Sequence, residues 1–349
     1  MALEGYIKLT DPQASQINFD DEDIVNGSVS ISMSTCRPSK FEIGTFNAAM
    51  LKIGIIDDES LNHDFSGARI ALQEVNGNTT TYLGSYYVDG AKTKRRKKQV
   101  MLTAQDGTAA FDTEISSTVK STTYTPQQAL TAACTACGIA LYNNDLSGFP
   151  NYQITFTPSS KAIQTYRDLV MWVAQLLAAN AVLNRGGALE IRHCRYIYNA
   201  DPDYISDGSD RSDCTFSDTR TYVKYMTAYS AGKVKTYTAS AIITDTQARE
   251  GTLALAYNPL LEGKAEADCD TINAAILADI DDFMQRRITA KMFDVPDISL
   301  GDLMRFMGGK IDVRRSILGV ITSYTWKYRG ISTVECAAPE ALRGENQAT

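Results

Sequence analysis

Histidine is almost missing from this chain, with only His63 and His193 in 349 residues. That weakens most acid–base and metal chemistry, because imidazole is the commonest group in both roles. No apolar run approaches the 18 residues that suggest a membrane-spanning helix, so no membrane insertion is expected. The start, MALEGYIKLTDPQ, lacks a basic stretch followed by an apolar one, so no secretory signal is expected. Nine prolines and 23 glycines are too few for a fibrous or disordered chain. GxGxxG, GxxxxGK[ST], HExxH and GxSxG are all absent, which removes the usual signals of phosphate loops, zinc peptidases and serine hydrolases.

What remains is an acidic, β-leaning composition. The net charge is -7, a poor balance for a duplex-binding protein. One segment departs from it. Lys92, Lys94, Arg95, Arg96, Lys97 and Lys98 place +6 within seven residues, leaving -13 on the rest. Such a run can mark a nucleic-acid patch. Its position between two strand-like pieces, LGSYYVDG and QVMLTAQD, favours a solvated loop instead.

The seven cysteines do not form a recognisable framework. Cys134 and Cys137 have CxxC spacing but lack the second pair a zinc site wants. With Leu130 they fall at i, i+4 and i+7, so they are expected as small core residues on a helix. His193 alternates with Leu189 and Ile191 in the strand-like ALEIRHC, which suits a structural histidine, and His63 sits in a turn. Asp20, Asp21, Glu22 and Asp23 form one acidic run, and Asp279, Asp281 and Asp282 another. Asp207, Asp210 and Asp213 resemble a calcium loop but miss its spacing and its closing Glu. These carboxylates are expected to be solvated loop groups. No catalytic, cofactor-binding or metal-binding residue is assigned.

Hydrophobic periodicity predicts strands at 29–35, 49–56, 68–75, 80–88 and 99–106, separated by turn signals such as Arg37-Pro38-Ser39 and Asn76-Gly77-Asn78. Thr125-Pro126-Gln127-Gln128 is a helix start with a cap, a first-turn proline and a capping box, and Gly138 suits its end. Thr165 to Asp168 opens a second helix expected to stop near Asn180, and 265–289 reads as a third. Further strands are expected within 196–240, at 302–307, across 310–328 and at 331–338, followed by a polar tail. The order gives an α+β fold. Its expected units are a β domain at 1–106, an α/β domain at 107–195 completed by 241–289, and a second β domain from 196–240 plus 290–340. Residues 341–349 are left as a tail.

The order of several short motifs resembles the tail-hub family of bacteriophages over about residues 1–340. Tyr82-Leu83-Gly84-Ser85-Tyr86-Tyr87-Val88, a basic turn, and Val100 through Asp106 match its paired strands. Thr125-Pro126 through Cys137-Gly138-Ile139 looks like its next block. Thr165 through Gln175, with Ala181 and Gly186-Gly187-Ala188-Leu189-Glu190-Ile191, looks like the third, and Leu300-Gly301-Asp302 like the fourth. The resemblance implies two small tube-type antiparallel β barrels joined by α/β domains, one barrel being built from non-contiguous segments. It implies a non-enzymatic homotrimer of pseudo-six-fold symmetry in the virion tail baseplate, assembled in the bacterial host cytoplasm. Implied partners are further copies of the chain, a tail tube or tube-adaptor protein, a spike or tail-tip protein and the tape measure protein, with no sequence-specific nucleic acid and no cofactor. The alternative is a tail-associated peptidoglycan hydrolase. The chain's end directly after its last strand argues for a bare hub, as in contractile tails and phage-tail-like bacteriocins. Part of the acidity is then expected on the lumen, where carboxylates would repel passing phosphate.

Overall fold

A computed structural model describes residues 2–11, 16–36, 40–56, 63–94, 98–193, 201–241, 243–281, 283–293, 297–308 and 316–342. The turn at Arg37–Ser39, the centre of the basic run (Arg95, Arg96, Lys97), Cys194, Asp282, Asp294–Pro296 and residues 343–349 lie outside the described set.

The chain opens with seven strands: β1 (Ala2–Lys8), β2 (Ile17–Phe19), β3 (Ser30–Ser34), β4 (Met50–Ile56), β5 (Arg69–Asn76), β6 (Thr79–Lys94) and β7 (Gln99–Gln105). The first two precede the earliest predicted strand. Gly5 in β1 faces Phe19 in β2, and a Cβ there would meet the Phe19 ring at 2.6 Å and the Ala71 carbonyl at 2.4 Å. Only glycine admits that approach, and it also interrupts the apolar alternation that would have marked β1. Alternate residues of these strands, among them Leu3, Ile7, Leu51, Ile53, Ile70, Leu72 and Leu102, are buried together. After β2 the chain returns to β4, where Ile24 bridges Ile55 and Val25 N–H donates to the Gly54 carbonyl at 2.9 Å. The seven strands thus bring one face of each to a common core.

Helices α1 (Ser117–Ser121), α2 (Pro126–Cys137) and α3 (Tyr166–Leu176) follow. Thr125 and Thr165 close capping boxes with Gln128 and Asp168, and Gly138 ends α2 at φ 67°. Helix α3 stops before Asn180, which instead lies in β8 (Ala179–Leu183), paired with β9 (Leu189–His193). The apolar stripe runs unbroken from α3 into β8, so periodicity alone could not place the boundary.

The rest of the chain holds β10 (Tyr204–Ser206), β11 (Arg211–Phe216), β12 (Thr221–Ser230), β13 (Lys233–Thr238) and β14 (Arg249–Ala254). Helix α4 (Glu266–Ile280) is shorter than the predicted 265–289. It gives way to β15 (Met284–Gln285) and β16 (Ile288–Phe293) because Ile288, Ala290 and Met292 alternate inward. Then come β17 (Leu303–Phe306), β18 (Ile317–Val320), β19 (Ser323–Lys327), β20 (Ile331–Cys336) and β21 (Glu340–Ala341). The predicted segment 310–328 thus holds two strands.

Pairing redistributes the predicted segment 196–240. Strands β12 and β13 form a sheet with β14, β15 and β21, packed on α4. Val223, Met226 and Ala228 bury one face of β12 in the same core as Ile272, Ile276 and Ile280 of α4. Only β10 and β11 join the C-terminal strands. Strand β10 pairs with β17, which pairs in turn with β18, while β11 pairs with β16.

One sheet dominates the molecule. Its order is β11-β16-β20-β19-β3-β4-β7-β6-β5-β1-β2, eleven strands among the described residues. The β19–β3 pairing, Tyr324 to Met33 and Trp326 to Ile31, joins the C-terminal strands to the N-terminal ones. Tyr324, Trp326, Val334 and Met292 lie in the same core as Ile53 and Leu102. Each such fully buried side chain contributes about 1.5–3 kcal/mol. Both halves thus keep their cores on one side of a continuous sheet.

Candidate functional site

The groups singled out for chemistry are mostly structural. His193 stacks on Phe149 with ring centroids 4.1 Å apart, and its Nδ1 is 3.5 Å from an Asp279 carboxylate oxygen. His63 is exposed beside Phe65. Cys134 is buried in the helical core, where burial pushes its thiol up to about 12 and that of Cys137 up to about 11. Neither is poised as a thiolate nucleophile.

The acidic runs are engaged. Asp20 and Asp23 form a capping box on a short 3-10 turn, and Asp21 accepts from Tyr328 Oη and pairs with Arg329, both at 2.6 Å. Asp281 accepts from the Ala241 N–H at 3.1 Å. Asp207 caps its own turn through Ser209, while Asp210 accepts from Ser206 Oγ at 2.7 Å and Tyr204 Oη at 3.1 Å. Among the described residues no cluster of three or more His, Cys, Asp or Glu could hold a metal ion.

A cleft lies where the first β unit meets the β8–β9 hairpin and the Ser299–Leu300 segment. It is lined by Tyr86, Asp106, Arg185 and Arg192 and holds about 60 Å³, room for roughly two waters. Its charged groups already have partners. Arg192 pairs with Glu190 at 2.7 Å and Asp302 at 3.2 Å, and Arg185 donates to the Ile298 carbonyl at 2.9 Å. Asp106 accepts from the Ala49 and Thr108 N–H groups, each at 3.1 Å. Burial pushes the Asp106 carboxyl above its ordinary range. This is a joint between units whose charged lining groups are already engaged.

The feature of greatest extent is the face of the long sheet turned away from the cores. Antiparallel partners share a face, so the register can be followed strand by strand. One row runs Asp213, Lys291, Thr333, Thr325, Ser32, Met50, Gln105, Tyr87, Arg69 and Lys8. Beside it stand Lys327, Ser30, Lys52, Thr103 and Gly90, and farther out Lys92 with Met101 and Lys94 with Gln99. The β3–β19 seam carries a hydroxyl contact on this face, Thr325 Oγ1 to Ser32 Oγ at 3.3 Å. The basic segment also proves to be more than a loop: Lys92 and Lys94 are strand residues, because β6 continues past the expected end at Val88.

Cations outnumber carboxylates on this face. Lys8, Lys52, Arg69, Lys92, Lys94, Lys291 and Lys327 stand here against Glu4, Asp89, Asp213 and Glu335. All seven cations are exposed. Single strands hinted at this surface through the alternation of Ser30, Ser32 and Ser34 with Ile31 and Met33. Its extent depends on the β3–β19 register, which joins residues almost 300 positions apart and leaves no local signal.

No family model matches the chain, and no curated protein resembles it in sequence. Solved structures do. A tail protein from Neisseria meningitidis MC58 is 13% identical with TM-score 0.54, the match covering 95% of both chains. The 43 kDa tail protein of prophage MuSo2 from Shewanella oneidensis is 12% identical with TM-score 0.59, covering 96% of this chain and 98% of that one. The prophage tail protein gp18 from Listeria monocytogenes EGD-e is 12% identical with TM-score 0.56, covering 99% and 95%. At this identity the likeness establishes a shared α+β fold. All three are described as tail proteins.

Proposed function

We propose that this chain is a structural hub of a bacteriophage-type tail. It would act as a homotrimer that adapts a six-fold tail tube to a three-fold spike around an open channel. The observation that carries this reading is the continuous sheet, which joins two β units side by side and gives them one common polar wall. Strands β1–β7 would be the first barrel. The second would comprise β11, β16, β20 and β19 faced by β10, β17 and β18. Two such units per chain give six in a trimer, which is how a three-fold ring can meet a six-fold one. The sheets α2–α3–β8–β9 and β12–β14 with α4 would buttress the units from outside.

The mechanism is geometric. A channel wall for a passing polymer should be smooth, wetted and free of deep binding minima. Hydroxyls at Ser30, Ser32, Thr103, Thr325 and Thr333 supply short polar groups on a hydrogen-bonded backbone that does not deform easily. The tail tube, spike and tape measure proteins are the partners this reading assigns, in a virion tail assembled in the host cytoplasm. No bond is made or broken, so no catalytic residue is required.

Solution mass combined with negative-stain imaging tests the proposal. A three-chain ring with an open centre is the expected result. A chain that stays monomeric at high concentration, and forms no ring when mixed with a cognate tube protein, would overturn it.

A further inference from the structure

The outward face of the long sheet holds more cations than carboxylates, although the whole chain is at -7. Lys8, Lys52, Lys92, Lys94, Lys291 and Lys327 are exposed and make no ion pair with any described residue. Several cations elsewhere are held by carboxylates. Lys235 is held by Glu266 and Asp270, Arg167 by Asp112, and Arg220 by Asp245. Lys161 and Lys233 also make no ion pair with any described residue, but they stand apart, whereas six such lysines share this one face.

We propose that this face binds the phosphate backbone of duplex DNA, weakly and without sequence preference. The choice of DNA as the polymer rests on the tail reading, whereas the phosphate-binding face itself does not. Two features favour a phosphate backbone over an acidic polypeptide. The cations are spread, with Lys92 and Lys94 about 7 Å apart along one strand and Lys327 and Lys52 about 10 Å apart across two strand spacings. Ser30, Ser32, Thr103 and Thr325 lie between them, and hydroxyls are ordinary donors to phosphate oxygens. Glu4, Asp89, Asp213 and Glu335 share the surface and limit the affinity, with Asp89 partly occupied by Gln105 Nε2 at 2.8 Å. A wall with this balance lets a polyanion slide without holding it, since the contacts are exchangeable with counterions.

The experiment is fluorescence anisotropy of a labelled random-sequence duplex with the full chain, titrated across a salt series. K52E/K92E/K94E is compared with K120E/K161E/K233E, which makes the same charge change away from this face. The unchanged chain should bind at low salt with a steep log–log salt slope. Each phosphate contact adds about 0.9 to that slope, so the face variant should lose about 2 to 3 from it and at least tenfold in affinity at low salt. The control variant should keep both. Absence of binding at low salt overturns the proposal, as does equal weakening by both variants. Displacement of the duplex by polyglutamate as efficiently as by unlabelled DNA would mean an acidic protein partner and would also overturn it. Ring formation is read separately. A ring without DNA affinity leaves the hub and removes this inference, and face-dependent DNA binding by a chain that forms no ring does the opposite.

Discussion

At the residue scale, two polar side chains hold units together where apolar packing could not. Gln285 is fully buried. Its Oε1 accepts from the Val320 N–H at 2.8 Å, and its Nε2 donates to the Val320 and Ala337 carbonyls. One amide thus satisfies groups on β18 and just beyond β20. Gln285→Ala leaves an orphaned donor and two orphaned acceptors, and the expected loss is about 1–3 kcal/mol in urea unfolding. Asp270 ties the β12–β13 hairpin to α4, accepting from Lys235 Nζ at 2.8 Å, Ser230 Oγ at 2.6 Å and Tyr237 Oη at 2.7 Å. The Lys235 hydrogen bond, followed by the two hydroxyls, lowers its pKa to about 2 from an ordinary 3.8. A carboxyl depressed in the folded state stabilises it above the unfolded pKa, and that contribution fades as pH falls toward the folded value. Asp270→Asn should therefore lower the melting temperature at neutral pH, and the gap from the unchanged protein should narrow between about pH 4 and pH 2. A constant gap across that range would contradict the assignment.

At the element scale, helix starts were the most legible part of the chain. Thr125-Pro126-Gln127-Gln128 and Thr165 to Asp168 each state their cap within four residues, and both boxes form as read. Thr165→Ala should cost about 1 kcal/mol, and Thr125→Ala a similar amount, by thermal or urea unfolding. Helix ends were less legible where no breaker follows. Beyond Ile280 the spacing Ile272, Ile276, Ile280, Phe283 continues the helical stripe, and only the tertiary pairing of Met284–Gln285 with β12 ends it. Strand β1 was hidden by Gly5, and β8 by its apolar continuity with α3. The placement of β12 and β13 needed the parallel β12–β14 ladder, a long-range pairing that periodicity does not encode. The polar wall was visible one strand at a time but not as a wall. Its balance of cations and carboxylates could be read only from the register of strands from both ends of the chain.

At the scale of the whole molecule, the β3–β19 seam decides what can exist alone. Residues 1–106 supply one part of the shared core, yet without β19 the outer edge of β3 has no partner. Unpaired edges recruit other chains. The 1–106 fragment is expected to self-associate, as read by size-exclusion chromatography with light scattering, and a stable monomer would show the seam to be dispensable. The same seam has a temporal side. Ser32 and Thr325 are 293 positions apart. At about 5–20 residues per second a ribosome takes roughly 15 to 60 s to travel between them. For that interval the nascent N-terminal unit presents an open strand edge in a crowded cell, beside other copies made from the same message. Correct assembly thus depends on the race between an intramolecular partner not yet synthesised and identical edges already present.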